Sequence, residues 1–279
     1  MHFAEKCDTI KESKTKRKRK RERKMQISAE QRREEIVAAI RVSGKVRVSE
    51  LSEQYGVSEV SIRKDLEILE MSGQLARVHG GAVGLEKIYL NMDLNERFRA
   101  NAEAKKALAE QIAALIEDND TIMMNAGTTL AYVLRALKGK RNINIVTNSI
   151  QNANEAAIYS SFNVILLGGE LDSKYQFTYG QDAERQLENY HATKCILSVD
   201  GISAETGLTL YYANEAPLAR KMIEASNCVI VAADGTKVGR NAFARITDAA
   251  KTDVLVTSGV EDAATLAALA KLGIHILQA

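Results

Sequence analysis

The sequence predicts two folded domains of different class: a winged helix-turn-helix over residues 25–84, then a mainly parallel α/β domain over residues 85–279. Three observations predict this. The stretch SEVSIRKDLEILEMSG sets Ile62, Leu66 and Leu69 at i, i+4 and i+7, one helical stripe, and a paired-glycine turn follows it. From residue 121 onward, short β-branched apolar runs alternate with helical stretches, the pattern of strands buried on both faces. At 279 residues the chain is long enough for one small and one medium core.

Charge and composition narrow the classes. Residues 1–24 carry 11 Lys or Arg against 4 acids, residues 25–84 carry 8 against 9, and residues 85–279 carry 19 against 23. The net charge of +2 therefore combines a strongly basic tail with a mildly acidic body. The run from Lys14 to Lys24, KTKRKRKRERK, has no apolar face and reads as a disordered arm. It is either a phosphate-contacting arm or a merely solvated extension, and Met25, just ahead of the first helix, is an alternative start. No apolar run reaches the roughly 18–20 residues that span a bilayer. The polar, basic N-terminus does not read as a signal peptide, so the expected compartment is the cytoplasm. Cys7, Cys195 and Cys228 show no metal-ligand spacing; Cys195 and Cys228 lie in apolar runs and read as core. No metal, cofactor or catalytic set is expected.

In the small domain, Ser28 with Gln31 three residues on makes a capping box for a first helix with Ile36, Val37 and Ile40 on one face. Ser43-Gly44 ends it. Val48-Ser49 opens a second, short helix with Leu51 and Tyr55, and Gly56 turns the chain. Ser58 caps a third helix, which Gly73 ends. Glu59, Ser61, Arg63 and Lys64 lie off the apolar stripe of that helix. Short helix, tight turn and polar-faced helix make a helix-turn-helix whose leading residues suit the major groove. Arg63 and Lys64 can reach bases or phosphates, whereas Asp65 suits orienting a neighbouring cation. Leu75 to Val83 reads as a β-wing turning at Gly80-Gly81, with Arg77 and His79 positioned for phosphate or a minor groove; alone, His79 reads as a turn residue.

In the large domain, a helical stretch is expected from Glu96 to Glu117, then a strand at 121–124, a helix at 127–137, and strands at 143–146, 164–167, 195–199, 229–232, 254–256 and 274–277. Parallel sheets bind ligands at the carboxyl ends of their strands. Polar and glycine residues gather at those ends: Asn125-Ala126-Gly127-Thr128-Thr129, Thr147-Asn148-Ser149, Gly168-Gly169-Glu170, Asp200-Gly201 and Ala233 to Lys237. Gly127-Thr128-Thr129 at a helix start offers free amides and hydroxyls to an anion, and Lys237 adds a point charge suited to phosphate. Each element alone is an ordinary turn or loop; their joint placement is what reads as a site.

Two stretches resemble a known family. VSEVSIRKDLEILEMSGQLARVHGGA is similar to the DNA-binding signature of the DeoR family of sugar-responsive regulators. The Arg97 helix, NAGTT, IVTNS, LLGGEL, SVDGIS, the Asn214-Glu215-Ala216 segment and Asp234-x-x-Lys237 resemble that family's effector domain. The resemblance spans roughly residues 28–278. It implies a fold like ribose-5-phosphate isomerase and a sugar-phosphate site lined by Gly127 to Thr129, Asp200, Glu215 and Lys237. One departure stands out: the family usually has aspartate where this chain has Asn125, an uncharged group that donates as well as accepts.

The resulting expectation is a repressor of a carbohydrate operon, with operator DNA and a phosphorylated sugar as partners and a homo-oligomeric form matched to palindromic half-sites. The alternative is a sugar-phosphate isomerase with an attached DNA module, which needs a positioned base. Asp200, Glu170 and Glu215 have the right chemistry, but no catalytic motif with diagnostic spacing appears. The sugar and the operator are not readable from the chain.

Overall fold

A computed structural model describes residues 27–71, 74–84, 92–260 and 262–279. It divides into two compact units, residues 1–89 and 90–279. The basic tail, the helix stop at Gly73 and the boundary at residue 85 lie outside the described residues.

In the first unit, α1 (Ala29–Ser43) starts with the full Ser28/Gln31 capping box and ends on Gly44 in the left-handed conformation at φ 73°. A strand not foreseen from sequence, β1 (Lys45–Arg47), precedes α2 (Val48–Tyr55) and α3 (Glu59–Met71). The wing is β2 (Ala76–Val78) and β3 (Gly81–Val83), and β3 lies between β1 and β2 in an antiparallel sheet. The two wing glycines do different jobs. Gly80 takes the turn at φ 77°, whereas Gly81 is already in β3, where a Cβ would come within 2.1 Å of the Val46 carbonyl oxygen on β1. The core joins Ile36 and Ile40 of α1, Leu51 of α2, Ile62, Leu66 and Leu69 of α3, and Leu75 and Ala82 around the wing.

The second unit begins with α4 (Leu94–Arg99) and α5 (Ala102–Ala114). The continuous helix expected from 96 to 117 is therefore corrected to two helices. Ala100 is extended and Asn101 left-handed at φ 53°, which stops the helical hydrogen-bond ladder and reverses the chain. There follow β4 (Thr121–Met124), α6 (Thr128–Ala136), β5 (Ile143–Thr147), α7 (Ile150–Ala157), β6 (Phe162–Leu166) and a hairpin, β7 (Glu170–Asp172) with β8 (Phe177–Tyr179). Then come α8 (Gln181–Leu187), β9 (Lys194–Ser198), β10 (Gly201–Ser203), β11 (Gly207–Leu210), α9 (Ala216–Glu224) and β12 (Val229–Asp234). The chain ends with β13 (Ala244–Thr247), β14 (Val254–Ser258), α10 (Ala263–Ala270) and β15 (His275–Gln278).

Seven strands form one parallel sheet in the order β15-β14-β12-β9-β4-β5-β6. Alternate residues feed two cores, one on each face. Met123, Cys195, Leu197 and Val231 pack with Leu218 and Met222 of α9, while Ile122, Met124, Ile196 and Ile230 pack with Leu108 and Ile112 of α5 and Leu130 of α6. Both faces are covered, so the strands read as unbroken apolar runs. Strands β10, β11 and β13 make a small antiparallel sheet, which, like the β7–β8 hairpin, escaped sequence reading because its strands are only 3–4 residues long. From β4 the chain winds outward through β5 and β6, then returns to β9 on the other side of β4 and winds the opposite way. The topological switch point therefore lies between β4 and β9.

Candidate functional site

In the first unit, α3 presents its polar face outward because Ile62, Leu66 and Leu69 hold the opposite face in the core. The Ser58 Oγ accepts from the Ser61 amide at 3.2 Å and lies 2.9 Å from the Ser61 hydroxyl, so both serines build the helix start. Arg63 donates to Glu59 at 2.5 Å, an exposed i,i+4 pair that aims the guanidinium along the helix. Lys64 is exposed. Asp65 is buried and accepts from Arg32 Nε at 2.6 Å and Arg33 at 3.4 Å, locking α3 to α1. Glu70, near the end of α3, accepts from both the Arg77 amide at 2.8 Å and its Nε at 2.7 Å. These bonds hold the Glu70 carboxyl below the usual carboxylate range and fix the wing strand to the helix. His79 sits exposed in the wing turn.

In the second unit, the loops after β4 and β9 meet at the switch point. Gly127 makes this possible: a Cβ there would lie 2.5 Å from Ser198 Cβ. Gly127 is also the N-cap of α6 and has no side chain to cap it; the Leu130 amide donates to the Gly127 carbonyl, which leaves the Thr128 and Thr129 amides available beside their buried hydroxyls. Asn125 is buried and clamps the two loops. Its Oδ1 accepts from the Ser198 amide at 2.9 Å, and its Nδ2 donates to the Ser198 carbonyl at 3.0 Å and to Glu215 at 3.2 Å. An aspartate could not donate those two bonds, so the amide suits this hydrogen-bond set. Glu215, just ahead of α9, also accepts from the Ala126 amide at 3.1 Å. Burial, with the Asp200 charge next in effect, pushes its carboxyl up to about 8. Asp200 accepts from the Tyr211 amide at 2.9 Å and lies 3.4 Å from Lys237 Nζ.

The structure thus gathers Gly127, Thr128, Thr129, Asp200, Glu215 and Lys237, with Asn125 behind them. Asn148, Gly168 and Gly169 serve the hairpin side of the rim. Asn148 Nδ2 donates to the Thr178 carbonyl at 2.9 Å, the Gly168 amide donates to Gln186 at 2.9 Å, and a Cβ on Gly169 would meet the Tyr179 carbonyl at 2.5 Å. The two glycines fit this packing without any ligand, whereas Asn148 Oδ1 is buried with no hydrogen-bond partner.

Lys105, near the site, was missed, and Arg97 and Asp234, named in the sequence reading without a role of their own, lie beside it. Lys105 is buried, donates to the Arg97 carbonyl, and is pushed down to about 8 by burial, with Asp234 opposing that shift and Lys237 and Arg97 adding to it. Arg97 lies 4.1 Å over the Tyr175 ring and donates to Tyr212 Oη at 3.0 Å. Asp234 is buried at the end of β12. The signal for Lys105 was present: it stands three and seven residues before Leu108 and Ile112, a cation on the apolar stripe of α5. Only the helix break at Asn101 lets that lysine reach back to Arg97.

Among the described residues, no group of three or more His, Cys, Asp or Glu could hold a metal ion, and no helix is long and apolar enough to cross a membrane. Cys195 is buried and Cys228 half-buried, both free thiols.

These features define a class: a winged helix-turn-helix and a doubly wound α/β unit on one chain. The sequence matches the DeoR-like helix-turn-helix domain over residues 32–87 and the DeoR C terminal sensor domain over residues 100–259. The chain belongs to the DeoR family of transcriptional regulators. It is 35% identical to the HTH-type transcriptional regulator YulB of Bacillus subtilis (strain 168), over 86% of this chain and 92% of that one. It is 31% identical to the glycerol-3-phosphate regulon repressor of Escherichia coli (strain K12), over 81% of this chain and 90% of that one. A ribose 5-phosphate isomerase A from Neisseria gonorrhoeae superposes with a TM-score of 0.37 at 18% identity, covering 48% of this chain and 52% of that one. A likeness that slight carries no argument, and the α/β class rests on the sheet itself.

Proposed function

We propose that this chain is a cytoplasmic repressor of a carbohydrate-utilisation operon, that residues 25–84 grip operator DNA, and that a phosphorylated sugar bound without turnover by residues 85–279 modulates the grip. The observation that carries the sensing half is the meeting of the uncapped α6 start, Lys237 and Lys105 with the carboxyls of Asp200 and Glu215 at the β4/β9 switch point. Amides and cations suit a phosphate, and carboxyls suit sugar hydroxyls. Arg63, Lys64, Arg77 and His79 are the groups proposed to meet DNA, with Ser58, Glu59 and Ser61 shaping and flanking the leading turn. Names of relatives, among them a glycerol-3-phosphate regulon repressor, support the same class. A homo-oligomer, dimer or tetramer, fits the palindromic half-sites such domains read.

Titrating the protein on its operator with paired sugars and sugar phosphates tests this. Phosphorylated compounds should shift DNA affinity far more strongly than free sugars, since each charge-assisted hydrogen bond is worth about 1.5–3 kcal/mol. Lys237→Ala should abolish the response and leave operator affinity unchanged. Free sugars acting equally well, or a normal response from the variant, would overturn the site. Steady conversion of the added compound would replace binding with isomerase chemistry.

A further inference from the structure

The outward face of α3 is not wholly polar. Val60, the second residue of the helix, is 72% exposed. At about 100° per residue, Ile62 and Leu69 of the core stripe lie about 160–180° around the helix from Val60. Val60 therefore sits at the middle of the face turned away from the core, in the leading turn. Val57, three residues earlier, packs against that core, and Val60 does not. Helix propensity does not account for it either, because a β-branched residue is a poorer helix former than the Glu, Lys or Ala that an exposed first turn would favour. Its neighbours on the same face, Arg63 and Lys64 at i+3 and i+4, are exposed cations that draw this face toward a polyanion. The Glu59–Arg63 pair and the Ser58–Ser61 hydroxyls flank it, with Glu67 at i+7, so Val60 is an apolar knob inside a polar rim of mixed charge that includes the cation Lys64.

In the major groove, the apolar group that base edges present is the 5-methyl of thymine. We propose that Val60 reads a thymine methyl in each operator half-site, and so sets base preference at a position where none of the helix's charged groups reads the sequence. This rests on the reading of α3 as the helix that enters the groove. Arg63 and Lys64 then supply attraction and hydrogen bonds beside it, and the methyl contact selects thymine over the other bases without a hydrogen bond.

The test starts by selecting preferred duplexes from a random pool with the full-length protein. Each thymine is then replaced singly by deoxyuridine, which removes only the 5-methyl, and affinities are measured for the wild type and for Val60→Ala. The exposed site lets the variant fold. For the wild type, one thymine per half-site should lose about fourfold in affinity on replacement, the worth of one buried methyl. For Val60→Ala, the same replacement should cost nothing further, while losses at other positions stay as in the wild type. An identical thymine profile for both proteins, or no thymine sensitivity at any position, would overturn the inference alone. A selection that returns no shared sequence would overturn the groove-reading role of α3 and the inference with it; Arg63→Ala binding the pool as the wild type does would mark that outcome.

Discussion

Single residues decide the character of the proposed sensor site, and Asn125 shows how. Its amide gives and takes hydrogen bonds with the Ser198 backbone and donates to Glu215, so it holds the β4 and β9 loops together without adding charge. Beside it, Glu215 is pushed up to about 8 by burial and by Asp200. A carboxyl raised in the folded state binds its proton more tightly there than in the unfolded chain. Its stabilising contribution is complete below the ordinary value near 4.5 and is lost as pH climbs from there to about 8. We expect Glu215→Gln, which keeps the neutral shape, to flatten that decline, so that its melting temperature gains on the wild type between pH 5 and pH 8. We expect Asn125→Asp to do the reverse. A second carboxyl 3.2 Å from the first should cost about 1–3 kcal/mol near neutral pH and less at pH 5. Calorimetric melting curves across that range check both, and parallel pH profiles for all three proteins would contradict the placement.

At the scale of elements, α3 has one face locked into the first unit and the opposite face exposed. Asp65 binds it to α1 through Arg32, whose side chain is only 11% exposed. Asp65→Ala leaves that guanidinium unpaired and should destabilise the first unit by about 3–5 kcal/mol, read as a lower denaturation midpoint. Arg63 faces solvent and shares only an exposed pair with Glu59, so Arg63→Ala should leave the midpoint nearly unchanged. If Arg63 makes a bidentate base contact, the same change should weaken operator binding by about 1–3 kcal/mol, measured by fluorescence anisotropy. Equal operator affinity in the folded variant would remove Arg63 from the interface. Much of this was legible beforehand: the capping box, the i, i+4, i+7 stripe and the glycine turns are local, so adjacent residues report them. What was not legible is equally specific. Strand β1 spans three residues and exists because β3 pairs with it. The break at Asn101 depends on a single left-handed residue in an otherwise helical sequence.

For the whole molecule, charge asymmetry is the feature with consequences. The net +7 of residues 1–24 sits on a chain whose remaining stretches are slightly acidic. If the tail contacts phosphates, a protein starting at Met25 should bind non-specific DNA more weakly. Its log affinity should then fall less steeply with log salt, by about 0.9 for each lost contact, while sequence preference survives. An unchanged salt slope would show the tail to be dispensable.

Sequence alone determined the two-unit plan, the helix-turn-helix and its wing, the positions of the strands in the parallel sheet, and the strand ends where Gly127, Asp200 and Lys237 lie. Each follows from periodicity, caps or turn residues within about twenty positions of one another. Only the tertiary structure decided which of those ends come together. The winding order of the sheet puts β4 beside β9, bringing Asn125 to Ser198 and Glu215 across 73 and 90 residues. It also made Lys105 part of the site's electrostatics and turned Asn148, Gly168 and Gly169 toward the hairpin. The physical reason is that burial and charge proximity depend on distance in space, which the chain sets through its fold and not through its spacing.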